Sequence, residues 1–394
     1  MGWVRRSMTL RVALIGIIVL LLLIPLEMVE GLIRDREWTK HQVEEEVSST
    51  WGGPQTLTGP VISVPIDEMT RTINAEKQEV WIKGGTIWRH YLPEELNVKG
   101  DLTDEVRYRG IYKVAGYWAD LAMDGRFAGI SHEATGPDRV VRWKDAVISL
   151  GITDLRSVAE IGTAEVAGTR LALEPGLPCT DLAATGIVSR FPLDTRNDST
   201  PIPFIVRMRI KGSRNLGFLP VGRTTRVALH STWNTPSFSG AFLPSERRIG
   251  PGFDASWTVL HYNRSYPQRF EEAQPDMEAS AFGVDLLVPV DDYQKSTRAA
   301  KYGVMLIVLV FTVFFFVEVM QRIRIHPIQY LLVGLALCIF YSLLIALSEH
   351  IGFGYAYIVS AVAVVVLVAL YARSVFRMPK AAALLTLVLV LVYG

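Results

Sequence analysis

The sequence predicts a mixed fold: an α-helical multi-pass membrane protein with a large, mainly-β, sandwich-like extracytoplasmic domain. Three observations lead there. Apolar residues concentrate at the two ends of the chain. The stretch between them alternates apolar and polar side chains with the two-residue period of a strand. The short connections between apolar segments carry Lys and Arg on alternate sides only.

The 394 residues are 50% hydrophobic and carry a formal net charge of +1. A near-neutral chain argues against a nucleic-acid partner, which needs a basic face. Of the two cysteines, Cys179 lies in the polar stretch and Cys338 in an apolar segment, so no intrachain disulfide framework is expected. An exported domain must then hold together by packing, for which it is long enough.

Residues 1–30 read as a short tail and the first membrane anchor. Arg5, Arg6 and Arg11 precede an apolar run from about Val12 to Val29 that contains Leu20, Leu21, Leu22 and Leu23. Each central Leu, Ile or Val favours insertion by roughly 0.3 to 0.6 kcal/mol, which outweighs Arg11 at the edge. A cleaved signal peptide has a core of similar size, but Glu27-Met28-Val29-Glu30 is no small-residue cleavage site, so the anchor reading is preferred. Residues 31–50 are charged, with Val43 and Val47 at helical spacing. They predict a helical stalk ended by Gly52-Gly53-Pro54.

Residues 51–300 predict strands. Phe204, Val206, Met208 and Ile210 alternate with Arg207, Arg209 and Lys211, and Tyr108, Tyr112, Val114 and Trp118 with Arg107, Arg109 and Lys113. Val227, Leu229 and Trp233 follow the rule, as do Phe282, Val284, Leu286, Val288 and Val290. Half-polar strands suit antiparallel sheets, punctuated here by Asn215, Gly222, Gly240 and Pro251-Gly252. The polar stretch from Asp194 to Pro203 predicts a loop between two halves. The resemblance of Leu173–Gly176 to Phe218–Gly222 hints weakly at duplication.

Residues 301–394 predict a transmembrane bundle. Spans of about Gly303–Met320, Ile328–Leu347 and Phe353–Tyr371 are long enough to cross about 30 Å of hydrocarbon. A fifth apolar run, Ala381–Tyr393, is too short to cross and stops at Gly394, from which we expect further native sequence. Tyr302, Tyr330, Tyr355 and Tyr371 fit interfacial anchoring. Arg322 and Arg324 follow the second span, Arg373, Arg377 and Lys380 follow the fourth, and Ser348–Gly352 carries no Lys or Arg. The positive-inside rule then makes the N-terminus cytoplasmic and residues 31–300 periplasmic.

Catalytic signatures are absent from the sequence. There is no Gly-x-Ser-x-Gly elbow, phosphate-binding loop or His-Glu-x-x-His helix. His41, His90, His132, His230 and His261 lack metal-ligand spacing, and Asp291-Asp292 and Glu271-Glu272 read as solvated strand ends. No catalytic residue, metal ligand or cofactor site is assigned. Two sets of residues stand out instead. Trp233, Pro236, Phe238, Phe242 and Pro244 form a segment dense in Pro, Gly and aromatics, a candidate partner-binding loop.

In the membrane region the candidates are Glu318, His326, Gln329, Glu349 and His350. An ionised Glu318 at a span centre costs roughly 2.5 to 3.5 kcal/mol. It reads as a relay group or, preferably, as the i,i+4 partner of Arg322. Pro327 suits the first turn of a helix begun by His326. Glu349-His350 reads as a polar cap or a sensor of external acidity. No continuous row of ionisable groups joins the faces, so the sequence gives a proton channel little support.

Several blocks resemble the CreD-type inner-membrane proteins. They include Trp51-Gly-Gly-Pro-Gln-Thr-Leu-Thr-Gly-Pro60, Arg109-Gly-Ile-Tyr112, Phe218-Leu-Pro-Val-Gly222 and Trp233-Asn-Thr-Pro-Ser-Phe-Ser-Gly-Ala-Phe-Leu-Pro244. Gly252 through Trp257, Phe282 through Tyr293, and Ile325-His-Pro-Ile-Gln-Tyr-Leu-Leu-Val-Gly334 on to Phe353 continue the match. The resemblance runs from the stalk to the fourth span. It implies an envelope-integrity protein of Gram-negative bacteria, linked to two-component regulation, with one N-terminal span, a periplasmic domain and a C-terminal helical bundle. Beside that family the chain looks short by one or two late helices, and the resemblance carries over no catalytic residues.

The preferred expectation is a non-enzymatic envelope protein whose β domain binds a periplasmic or inner-membrane protein or lipid, with membrane lipids around its helices. A transporter or lipid translocator is the alternative. An envelope hydrolase is the second alternative, to be revived by acidic residues or a histidine converging in one cleft.

Overall fold

The computed structural model describes residues 8–73, 79–110, 112–132, 136–193, 200–271, 277–286, 292–320, 325–375 and 379–393. Arg5, Arg6, Arg322, Arg324 and Arg377, residues 194–199 of the expected loop, Glu272, Val288, Val290 and Asp291 lie outside them. The chain divides into two units, Met1–Val43 with Pro289–Gly394, and Glu44–Val288.

The first unit is helical. Helix α1, Met8–Trp51, begins here and continues into the second unit, joining the expected anchor and stalk in one element. It is followed by α2 (Asp292–Lys301), α3 (Gly303–Met320), α4 (Pro327–Ile351), α5 (Phe353–Val375) and α6 (Pro379–Tyr393). Helices α1, α3, α4 and α5 are long and apolar enough to cross a membrane. Ile18, Leu22, Leu26, Val29 and Ile33 are the buried stripe of α1, spaced by three and four residues as a helix face requires. Two glycines bring neighbours close. A Cβ on Gly334 would overlap Leu22, and one on Gly303 would lie 2.9 Å from Leu26 and 3.0 Å from Tyr341. Gly352, at φ +77°, ends α4 in a backbone conformation that L side chains resist.

Among the described residues the second unit holds eighteen strands. They are β1 (Gln55–Ile73), β2 (Glu79–Tyr91), β3 (Glu95–Arg109), β4 (Tyr112–Phe127), β5 (Arg139–Val141) and β6 (Val147–Ile152). Then come β7 (Val158–Val166), β8 (Thr169–Arg170), β9 (Glu174–Pro175), β10 (Gly186–Arg190), β11 (Ile202–Ser213) and β12 (Asn215–Phe218). The last are β13 (Thr224–Ser231), β14 (Pro236–Gly240), β15 (Glu246–Ile249), β16 (Phe253–Leu260), β17 (Arg269–Glu271) and β18 (Phe282–Leu286).

A ten-stranded sheet runs β14-β18-β12-β1-β6-β10-β9, with β2, β5 and β17 branching from it. An eight-stranded sheet runs β15-β16-β13-β3-β4-β11-β7-β8. Pairing is antiparallel except for β1 with β12 and β3 with β13. Inner side chains of both sheets share one core, where Trp257 of β16 lies 5.7 Å from Phe238 of β14 and 5.8 Å from Phe282 of β18. Strand β11 alternates as expected, burying Ile202, Phe204, Val206, Met208 and Ile210. Each such side chain contributes about 1.5 to 3 kcal/mol.

One expected strand is two. The alternation from Arg107 to Trp118 runs through a hairpin, because Gly110 at φ +60° opens a turn and Arg109 then faces Tyr112. The core side of β4 carries Ala115, Tyr117, Ala119 and Leu121, which are all buried. Trp118 lies on the other face, covered by the end of α1: Trp51 meets it edge-on at 5.4 Å. Ser48 Oγ lies 2.5 Å from Ser213 Oγ, which fixes the same turn to the end of β11.

Candidate functional site

Two of the membrane-region candidates, Glu318 and Glu349, sit in separate polar clusters of the helical unit. Glu318, near the end of α3, is buried and takes Arg11 Nη1 of α1 at 2.8 Å and the Tyr330 hydroxyl of α4 at 2.9 Å. The expected partner Arg322 lies outside the described residues, while the partners seen come from two other helices. Tyr330 is held in turn by Phe311 and Phe314, edge-on at 5.4 and 5.7 Å. Toward the other end, Arg36 Nε of α1 lies 3.7 Å from Glu349 Oε1 of α4. From Arg11 to Arg36 the helix rises about 37 Å, at about 1.5 Å per residue, so the clusters bracket one bilayer thickness.

His326 is the N-cap of α4. Its ring Nδ1 accepts from the Ile328 N–H at 3.4 Å, and the His326 backbone N–H donates to Gln329 Oε1 at 3.0 Å. His350 is exposed, with Nδ1 3.1 Å from the Ala346 carbonyl. These residues begin and end a helix, and the structure does not gather them into one site.

The Trp233–Pro244 segment turns its aromatic groups inward. Trp233 is buried, Pro236 and Phe238 belong to strand β14, and Phe238 and Phe242 pack against the core. Phe242 meets Phe282 at 5.9 Å, and its carbonyl accepts from Trp257 Nε1 at 3.2 Å. Pro244 is half-buried, and Leu243 projects at 70% exposure. Strand pairing and core contacts account for the composition that suggested a recognition loop.

A third cluster, in the second unit, escaped the sequence reading. Ser63 of β1 and His90 of β2 are register partners with fully buried side chains, and Ser63 Oγ lies 2.8 Å from His90 Nδ1. The other ring nitrogen, Nε2, lies 3.2 Å from Asp181 Oδ2. Asp181 and Cys179 come from the connection between β9 and β10, and the His90 nitrogen, Cys179 sulfur and Asp181 oxygen lie within 4.8 Å of one another. Phe270 of β17 flanks the imidazole at 5.1 Å. Burial favours the neutral ring and holds His90 below the ordinary histidine value, although Asp181 opposes this. Burial also pushes the Cys179 thiol up to about 12.

The Ser–His–Asp order is that of a nucleophile triad. However, Ser63 is fully buried in a strand paired on both sides, by β2 and β6, where no substrate reaches it. A protonated Cys179 is a poor nucleophile too. Nothing local in the sequence joins His90 to Cys179, since the two positions are 89 apart. Only the Cys179-x-Asp181 spacing was a local signal.

The family described as inner membrane protein CreD matches residues 7–394. The chain belongs to the CreD family. Inner membrane protein CreD of Escherichia coli (strain K12) is 35% identical over 383 residues, which is 95% of this chain and 83% of that protein. Four helices long and apolar enough to cross a bilayer fit CreD's inner-membrane location. The family is thus named for a place in the cell and not for a reaction. Among solved structures, native leukotriene A4 hydrolase from Saccharomyces cerevisiae shares 10% identity, covering 48% of this chain and 29% of its own, with a TM-score of 0.22. A likeness that slight carries no argument about the fold or activity of this chain.

Proposed function

We propose that this CreD-family chain is a non-enzymatic protein supporting the cell envelope. Its helices anchor it in the inner membrane with the N-terminus cytoplasmic, and its β domain is periplasmic and binds an envelope protein. The observation that carries the reading is the outer half of the β1–β2 hairpin. Strand β1 is buried through Ile66 and open beyond it. Thr70–Ile73 and Glu79–Ile82 find strand partners only in each other among the described residues.

A two-stranded ribbon is marginal alone in water. This one carries Ile73, Trp81 and Ile82 at 68%, 42% and 50% exposure, beside Arg71 and Lys83. Free strand edges with apolar side chains suit strand addition by a partner chain. The paired state of Glu318 supports an anchoring role for the helices over a relay role.

Photo-crosslinking residues at Trp81 and Ile82, tested in living cells with Leu243 as the control position, address this directly. One envelope protein captured at the ribbon and absent at Leu243 supports the reading. Capture of lipid alone replaces the protein partner with a lipid one, and no capture at either ribbon position removes it.

A further inference from the structure

The cluster at His90 has the chemistry of a cation site. It offers one imidazole nitrogen, one sulfur and one carboxylate oxygen, all mutually within 4.8 Å. Nitrogen and sulfur donors select a borderline-soft ion such as zinc over magnesium or calcium, which take oxygen. Tetrahedral zinc with bonds of about 2.0 to 2.1 Å to nitrogen and oxygen separates those donors by about 3.3 Å. His90 Nε2 and Asp181 Oδ2 are 3.2 Å apart.

The second ring nitrogen is also provided for. A metal-bound histidine commonly donates its other N–H to a fixed acceptor, which sets the ring's tautomer and direction. Ser63 Oγ stands 2.8 Å from Nδ1, buried with the imidazole between β1 and β2. The strands thus hold His90 rigidly and the Cys179–Asp181 connection supplies the remaining donors.

We propose that His90 Nε2, Cys179 Sγ and the Asp181 carboxylate together bind one zinc ion. As the Zn–S bond forms, the thiol proton passes to solvent, and the fourth position is taken by water. The ion joins the connection between β9 and β10 to β2, a strand with which neither β9 nor β10 pairs. This goes beyond the partner-binding reading and is independent of it.

The full chain, purified in detergent without chelators, is assayed for zinc by mass spectrometry, then stripped and titrated with Zn²⁺ or Co²⁺. One zinc per chain and a thiolate-to-cobalt charge-transfer band are expected. Both are lost in Cys179→Ser and Asp181→Asn and kept in Cys338→Ser. Ser63→Ala, which removes only the support behind His90, should weaken zinc affinity about 10- to 100-fold. Cys179→Ser alters a partly exposed loop position, so circular dichroism can verify its fold if His90→Gln fails to fold. Substoichiometric zinc with no cobalt band in the folded native chain overturns the proposal. So does a folded Cys179→Ser chain that keeps the metal.

Discussion

The guanidinium carbon of Arg107 sits over the Trp51 indole, 3.8 Å from the ring centroid. The ammonium of Lys211 lies 4.6 Å from the same ring. Trp51 is the last residue of α1, so two strands grip the helix end through cations on an aromatic face. Arg107→Ala should lower the stability of the β domain by about 0.5 to 1 kcal/mol, measured by thermal unfolding of the full chain. Trp51→Ala should cost more and should increase proteolysis within residues 44–51, whereas Trp38→Ala on an exposed part of the helix should do neither.

Glu318 is the buried member of its ion pair, and removing the cation leaves its charge uncompensated. Arg11→Ala should therefore destabilise the helical unit by about 3 to 5 kcal/mol. The double change Arg11→Met with Glu318→Met should recover most of that loss. Thermal unfolding in detergent reads both. A double variant as unstable as the single one would contradict an anchoring pair.

Asp67, at the root of the β1–β2 ribbon, contributes stability that acid removes. The Thr86 hydroxyl at 2.6 Å and Lys83 Nζ at 2.9 Å hold its carboxyl below the ordinary value of 3.8. Arg142 Nε approaches to 3.3 Å. A carboxylate depressed in the folded state stabilises fully above its unfolded value and loses that contribution as pH falls through its folded value. Asp67→Asn should lower stability at neutral pH and flatten its decline below pH 3.8. Hydrogen exchange in residues 79–86 should rise at neutral pH and become less pH-sensitive.

Close glycine contacts predict a size limit in the helical unit. Gly334→Ala drives a methyl into Leu22 and should cost about 1 to 3 kcal/mol in detergent melts. Gly354 in α5 has open space where its Cβ would stand, so Gly354→Ala should be near neutral.

Much of the architecture was legible in the residues. Helix length and apolarity gave the spans, and Gly52-Gly53-Pro54 stopped α1 within a residue of the expected end. The alternation of Phe204 to Ile210 gave β11 and its buried face. What local pattern leaves open is decided by long-range partners. Alternation cannot reveal the hairpin at Gly110, since strands on both sides of a tight turn keep the same two-residue period. Phe238 and Phe242 stand out in the sequence by composition, and the contacts with Trp257 and Phe282 become visible only in the fold. Glu318 meets Arg11 across 307 residues, and His90 meets Asp181 across 91, spacings that leave no local pattern.

The pairing of β1 with β12 has a consequence for how the domain comes into being. Gln55, Thr56 and Leu57 find their parallel neighbours at Leu216, Gly217 and Phe218. As synthesis proceeds from the N-terminus, that edge of the first strand must wait for some 160 further residues before its ladder can close. A chain halted before Asn215 leaves this side of β1 unpaired. The gap then falls in the middle of the ten-stranded sheet and not at its edge, so the sheet should be lost cooperatively.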